Sequence, residues 1–228
     1  MNLLSNVHLG LSDPAITLNS RKKTHLITND YQYYHYKCDG FDDVGWGCGY
    51  RTLQTIASYL SLQQQGKAGQ VPTIKEIQET LVHLEDKKKS FLGSREWIGS
   101  FEVCLVIDKL FNVPCKIVHC PSGENGMTDI FPKLEEHFAK SSAPPIMMGG
   151  DHDASSKGVL GTCTVDDDDH WLLVLDPHYY HQRGQHQTSA VKLQQEGYVR
   201  WIHLSEFDKQ SFYNICLPQL NSNALCTI

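Results

Sequence analysis

The chain has 228 residues, 40% hydrophobic and 20% charged, with a formal net charge of −6 from 20 Lys+Arg and 26 Asp+Glu. That length fits one domain with a core large enough to fold without metal or disulfide staples. Ordinary Gly and Pro contents exclude a collagen-like or low-complexity chain, and the acidic balance lacks the basic footprint of a nucleic-acid binder, Lys87–Lys89 being only a short solvated run.

No stretch approaches the roughly 18 apolar residues of a membrane span, and residues 1–13 (MNLLSNVHLGLSD) carry neither the basic nor the apolar part of a secretory signal. The eight cysteines, Cys38, Cys48, Cys104, Cys115, Cys120, Cys163, Cys216 and Cys226, contain no C-x-x-C pair. The expectation is therefore a cytoplasmic chain with reduced thiols, most of them small buried hydrophobes.

Residues 1–30 show weak periodicity and read as an extended or loosely packed lead-in to a single domain spanning 1–228. An aromatic, turn-rich stretch follows (31–43), then Gly45-Trp46-Gly47-Cys48-Gly49. From Tyr50 the apolar positions Leu53, Ile56, Ala57 and Leu60 recur at helical spacing, and 61–70 reads as a loop. Thr73 with Glu76 forms a capping-box pattern opening a short helix whose buried face is Ile74, Ile77, Leu81 and Leu84. The segment 98–112 reads as a buried helix capped by Ser100 and stopped by Asn112 and Pro114; Cys115–Cys120 reads as a strand, and 130–139 as a helix with Pro132 near its first turn. Strands are expected at Ile146–Met148, Val159–Val165, Trp171–Leu175 and Val199–Leu204, and an irregular surface element at 181–196. Helices followed by strands argue for α+β, a helical half packed on a mainly antiparallel sheet.

Cys48 is the sharpest chemical feature. It stands where a glycine-rich turn meets a helix, and the orphan N–H groups and dipole of a helix N-terminus favour a thiolate. Gly45, Gly47 and Gly49 would let a substrate backbone approach, and Trp46 would either wall the cleft or fill the core. Asp176-Pro177-His178 ends an apolar strand, which places Asp176 and His178 on one face. A buried Cys beside a turn and an Asp-Pro turn with a surface His would each explain one feature. Together they are the parts of a thiol nucleophile, its base and an orienting acid. Other ligand-like runs (Asp166–Asp169 with His170, Asp151-His152-Asp153, His178 with His181) lack metal-site spacing, so neither a metal nor a cofactor is expected.

The run Gly45-Trp46-Gly47-Cys48-Gly49-Tyr50-Arg51-Thr52-Leu53-Gln54, with Asp176-Pro177-His178 about 130 residues on, the segment 93–110 and Gly149-Gly150, closely resembles the ubiquitin-fold modifier 1-specific proteases over roughly residues 30–217. The chain's length is similar to the short form of that family. The resemblance implies a papain-like fold and a cysteine peptidase with Cys48 as nucleophile, His178 as base and Asp176 as orienting acid. It also implies a tyrosine donor to the oxyanion, by spacing Tyr36, with Tyr31, Tyr33 and Tyr34 as rivals. Trp46 and Gly47 fall to substrate binding, and Arg51 and Gln54 to bracing the loop around the site. The implied partners are the precursor of that modifier and its protein conjugates, handled by a monomer. The autophagins share much of the pattern, but they usually carry Met after the nucleophile and Gln three residues after the His, where this chain has Gly49 and His181. A non-catalytic modifier-binding protein is the alternative from another class.

Overall fold

The computed structural model describes residues 3–14, 20–63, 70–123, 125–180 and 188–220. Its strands are β1 (Lys22–Leu26), β2 (Cys115–Cys120), β3 (Ile146–Gly150), β4 (Ser156–Val165), β5 (Asp169–Leu175), β6 (Val199–His203) and β7 (Tyr213–Pro218). They join in one sheet of order β2–β7–β3–β4–β5–β6, antiparallel at every pairing. The long β4 shares one edge between two partners: β3 pairs with Ser156–Val159 and β1 with Gly161–Val165. The helices are α1 (Cys48–Gln63), α2 (Ile74–His83), α3 (Ser100–Phe111), α4 (Gly126–Phe138) and α5 (Ala190–Gln195). The architecture is α+β with a mainly antiparallel sheet.

Helix α1 is buried along its length from Cys48 to Leu60, against β3, β4 and α3. A helix buried all round must find partners for its polar side chains. Several of those of α1 find them in the segment that precedes it. The Ser58 hydroxyl accepts from the Gln32 N–H at 2.9 Å and that of Thr55 from the Tyr34 N–H at 3.1 Å. Gln54 donates to the Pro72 carbonyl at 2.8 Å and accepts from Arg51 at 3.0 Å. Arg51 itself is 0% exposed. Its guanidinium meets Asp43 at 2.8 and 3.2 Å and both oxygens of Asp39 at 2.8 Å.

The lead-in is better packed than its periodicity suggests. Val7 and Ile27 are buried, Asn6 and Tyr33 donate backbone bonds to Tyr31 and Leu4, and Lys22–Leu26 is the strand β1. The lysines and partial exposure of β1 remove the apolar alternation that would have marked it, as is usual for an edge strand. The strand β7 was also not expected: it is a short, fully flanked run in which both faces are largely buried, so no alternation shows.

Several boundaries move, β3, β4 and β5 by two or three residues each. The residue preceding α3 is Gly99, whose N–H is held by the Glu102 carboxylate at 2.9 Å, while Ser100 turns its hydroxyl to the Asn214 carbonyl on β7 at 2.6 Å. Helix α4 starts at Gly126, so Pro132 lies inside it. Residues 190–195 of the stretch read as irregular form α5; residues 181–187, like 64–69 of the 61–70 loop, lie outside the described residues. The Thr73–Glu76 capping box is present, and Asp166–Asp168 form the exposed turn between β4 and β5.

Removing one partner of a buried ion pair leaves an uncompensated charge, at a cost of about 3–5 kcal/mol. Asp43→Ala is therefore expected to lower unfolding stability by roughly that amount, read from the urea midpoint. A change under about 1 kcal/mol, the size of an exposed pair, would show that Asp43 does not hold the Arg51 charge.

Candidate active site

Cys48 is the first residue of α1 and is 7% exposed. Three groups converge on its sulfur: the His178 imidazole, the Tyr36 hydroxyl and the Ser156 backbone N–H. They come from separate parts of the chain. His178 follows the end of β5, Ser156 opens β4, and Tyr36 stands in the segment zipped to α1.

His178 is fixed by Asp176. The carboxylate Oδ1 lies 2.5 Å from Nδ1 and accepts the His178 backbone N–H at 2.9 Å, which leaves Nε2 for the thiol. Asp176 is held in turn through its own backbone: its N–H donates to the Tyr198 carbonyl at 2.7 Å, and the Tyr33 hydroxyl donates to its carbonyl. The Tyr36 ring packs edge-on against the His178 ring, centroids 5.2 Å apart at 89°, and its N–H donates to the Pro177 carbonyl at 3.0 Å.

These contacts set the charges. Burial pushes the Cys48 thiol up, but the His178 hydrogen bond and charge, the Ser156 N–H and the Tyr36 hydroxyl together hold it below the ordinary thiol value of 9.0. Burial disfavours the imidazolium too, yet the hydrogen bonds it donates to Asp176 and Cys48 and their charges raise His178 to about 9. Asp176, despite its burial, is held below the usual carboxylate value by His178. These shifts favour a thiolate–imidazolium pair over a thiol beside a neutral imidazole. The Tyr36 hydroxyl is raised by burial and by the neighbouring thiolate, so it stays a proton donor.

Cys48, Asp176, His178 and Tyr36 are brought together as the sequence reading expected, and the rival tyrosines are committed elsewhere. The Tyr31 hydroxyl lies 3.1 Å from His8, that of Tyr33 donates to the Asp176 carbonyl, and the Tyr34 backbone N–H is tied to Thr55. Arg51 braces the loop before α1, whereas Gln54 bonds Arg51 and the Pro72 carbonyl ahead of α2.

The two residues assigned to substrate binding are corrected. Trp46 is 6% exposed and stacks edge-on between Phe41 (5.9 Å) and Tyr50 (5.5 Å), so it belongs to the core. A Cβ on Gly47 would meet the Asp43 Oδ2 at 2.1 Å, so this glycine makes room for Asp43 rather than for a ligand. Gly49 likewise accommodates the Ile98 carbonyl, 2.4 Å from where its Cβ would be, and Gly45 supplies a turn at φ +85°.

The cleft at Cys48, about 210 Å³, runs between the start of α3 and the β3–β4 hairpin. Trp97, Gly99 and Ser100 form one side, and Gly149, Gly150 and Ser156 the other. Trp97, 56% exposed, is the aromatic wall that the sequence reading gave to Trp46. Gly149 lines the cleft with no side chain, where a Cβ would sit in ordinary contact with the Ser100 and Ser156 hydroxyls at 3.7 and 3.8 Å.

The ionisation pattern gives a testable pH profile. Below the lowered Cys48 pKa the nucleophile is protonated, and above about 9 the imidazolium is lost, so kcat/KM should be bell-shaped with an alkaline limb near 9. Asp176→Asn removes a group that raises the imidazolium pKa and should move that limb toward the ordinary 6.5. An alkaline limb unchanged in this variant would show that the limb does not belong to His178.

The comparisons with known proteins agree with this geometry. A family model described as Peptidase family C78 matches residues 22–216. The chain is 40% identical over 220 residues to a protein named Ufm1-specific protease 1 from Mus musculus, covering 96% of this chain and 95% of that one. It is 41% identical over 210 residues to a Probable Ufm1-specific protease 1 of Drosophila melanogaster, covering 91% and 86% respectively. The crystal structure of UfSP from C. elegans superposes with a TM-score of 0.76 at 31% identity, covering 96% of this chain and 38% of that one, so the α+β fold is the papain-like one. With a family model spanning most of its length and a cysteine, histidine and aspartate joined in one hydrogen-bonded relay, the chain belongs to peptidase family C78.

Proposed function

We propose that this cysteine peptidase cuts after the C-terminal glycine of ubiquitin-fold modifier 1, both in the precursor of the modifier and in its conjugates on lysine side chains. The observation that carries the reading is the Cys48 sulfur at the start of α1, bonded by both His178 and Tyr36. The names of the relatives support the substrate class.

In the reaction, the Cys48 thiolate attacks the glycine carbonyl carbon. The tetrahedral oxyanion is received by the Cys48 N–H, one of the unpaired donors of the first helical turn, and by the Tyr36 hydroxyl, which turns from sulfur to oxygen as the charge moves. The His178 imidazolium protonates the leaving amine, and the C–N bond breaks to a thioester. His178, now neutral, takes a proton from water as that water attacks the thioester, which releases the glycine carboxylate and restores the thiolate. Asp176 holds the imidazole orientation throughout. Precursor and conjugate differ only in the amine that leaves. A glycine tail fits a passage between Trp97 and Gly149, since a side chain on the substrate's last residues would have to displace one wall. The protein is read as a cytoplasmic monomer.

Incubation with the modifier precursor tests this directly: the C-terminal extension should be released, and Cys48→Ser should stop release while retaining binding. Release by Cys48→Ser at the native rate would remove the nucleophile assignment. Tyr36→Phe keeps the ring and its packing and is expected to lose about 100–1000-fold in turnover with little change in KM. A similar loss in Tyr34→Phe with none in Tyr36→Phe would move the donor.

A further inference from the structure

Three cysteines away from the catalytic site meet at one point. Cys104 comes from α3, Cys115 opens β2 and Cys216 lies in β7. Cys115 pairs with Pro218 and Cys216 with Ile117, so these two sit two positions apart on one face of the β2–β7 ladder. Helix α3 packs against both strands and brings Cys104 over them. The three Sγ atoms all lie within 4.8 Å of one another, with Cys104 and Cys216 3.0 Å apart. Cys216 is buried and the other two are half-buried, which leaves a side for entry. Two charged groups act on the cluster, Glu102 on Cys104 and Asp108 on Cys115, and both are acidic.

We propose that Cys104, Cys115 and Cys216 form a three-thiolate site for a soft, thiolate-seeking metal ion of the Zn²⁺ or Cu⁺ class. A disulfide would use two of these thiols and leave the third unexplained. Three is the number of protein ligands in a metal site that keeps one position open. Sulfur is the donor that selects such ions over Mg²⁺ or Ca²⁺. Thiolates at about 2.3 Å from a tetrahedral metal stand roughly 3.8 Å apart. The Cys104–Cys216 edge of 3.0 Å must therefore open by somewhat under about 1 Å, within reach of side-chain rotation. Each ligating thiol gives up its proton to water as the ion enters. Local sequence spacing conceals the site, because its members are supplied by three separate elements.

The place of the cluster gives it a consequence. Ser100, one helical turn before Cys104, donates to the carbonyl of Asn214, two residues before Cys216, and Ser100 and Asn214 both line the Cys48 cleft. A bound ion would tie α3 to β7 directly behind that wall.

The test uses the reduced full-length Cys48→Ala protein without oxygen, so that the catalytic thiol cannot compete. Cd²⁺ is titrated as the spectroscopic probe and Zn²⁺ as its competitor. One equivalent of Cd²⁺ should bind with a sulfur-to-metal charge-transfer band of three-thiolate intensity, and Zn²⁺ should displace it. Cys115→Ala should weaken binding by at least about tenfold and reduce the band, whereas Cys120→Ala and Cys163→Ala should leave both unchanged. Cys115 is half-buried at a strand start, so it keeps the test open if Cys104→Ala or Cys216→Ala fails to fold. The absence of a band, or a band unaffected by Cys115→Ala, would overturn the proposal. So would a reduced protein that binds no metal while its air-oxidised form loses two hydrogens as a Cys104–Cys216 disulfide.

Discussion

A single buried guanidinium holds the working end of this molecule together. Arg51 has no exposed surface, and removing such a charge from water is costly unless each donor is met. Asp43 and Asp39 meet it with four short contacts, and Gln54 and the Cys38 sulfur take what remains. Burial works against the charge, but the two carboxylates raise the Arg51 pKa beyond its usual value, so the group stays ionised. The geometry is the bidentate one that suits Arg and that Lys could not reproduce. Its consequence is local order: Asp43 also accepts the Lys37 N–H at 2.8 Å, and its carbonyl accepts from Trp46 and Gly47. The loop from Lys37 to Gly47 is thereby wound around one charge, and Cys48 begins the helix directly after it.

The thiolate at the helix start is the product of opposed effects of similar size. Burial of Cys48 and of His178 disfavours both charges, and in isolation would leave a thiol beside a neutral imidazole. Mutual attraction inside a site of low dielectric reverses this, as do hydrogen bonds from Ser156 and Tyr36. The helix dipole adds an amount of order 0.3–1 kcal/mol, enough to bias the pair but not to create it. Asp176 then favours the imidazolium further. A pair stabilised by several modest terms is sensitive to each of them, which is why the residues behind it are as constrained as the pair itself.

Much of the site was legible because its signals are local. A glycine-bracketed cysteine before an amphipathic run and an Asp-Pro-His at a strand end each carry their geometry within a few residues. The capping box at Thr73 and the strand at Cys115–Cys120 were legible for the same reason. What stayed hidden depends on contacts between distant segments. The roles of Gly47 and Gly49 were misread because a glycine reports that space is needed without reporting for whom. Here Asp43 and Ile98 claim that space, and the glycines that line the cleft lie elsewhere, at Gly99, Gly149 and Gly150. Trp46 and Trp97 could not be ranked from the chain, since a Trp serves core and surface alike. The edge strand β1 and the sheet-interior strand β7 failed the alternation test for opposite reasons, one too polar and the other buried on both faces.

The catalytic atoms come from two parts of the chain far apart in sequence, residues 36–48 and 176–178, so the relative placement of α1 and the end of β5 decides whether they form a site at all. The segment Tyr33–Gly47 is the clasp between them. At one end, the Tyr33 hydroxyl and the Tyr36 N–H bond the backbone carbonyls of Asp176 and Pro177, which fixes the segment to the strand end that bears the base. At the other end, Asp39 and Asp43 fix it to Arg51, one turn into the helix that bears the nucleophile. The oxyanion donor Tyr36 belongs to the clasp itself. Any shift between helix and sheet must therefore either break a carbonyl hydrogen bond near the base or uncover the buried guanidinium, each more costly than a change of side-chain rotamer. The reach from nucleophile to base is set by main-chain bonds and one buried ion cluster rather than by the flexibility of Cys48 or His178. That is the preorganisation acyl transfer requires, with donors and charges in place before the substrate arrives.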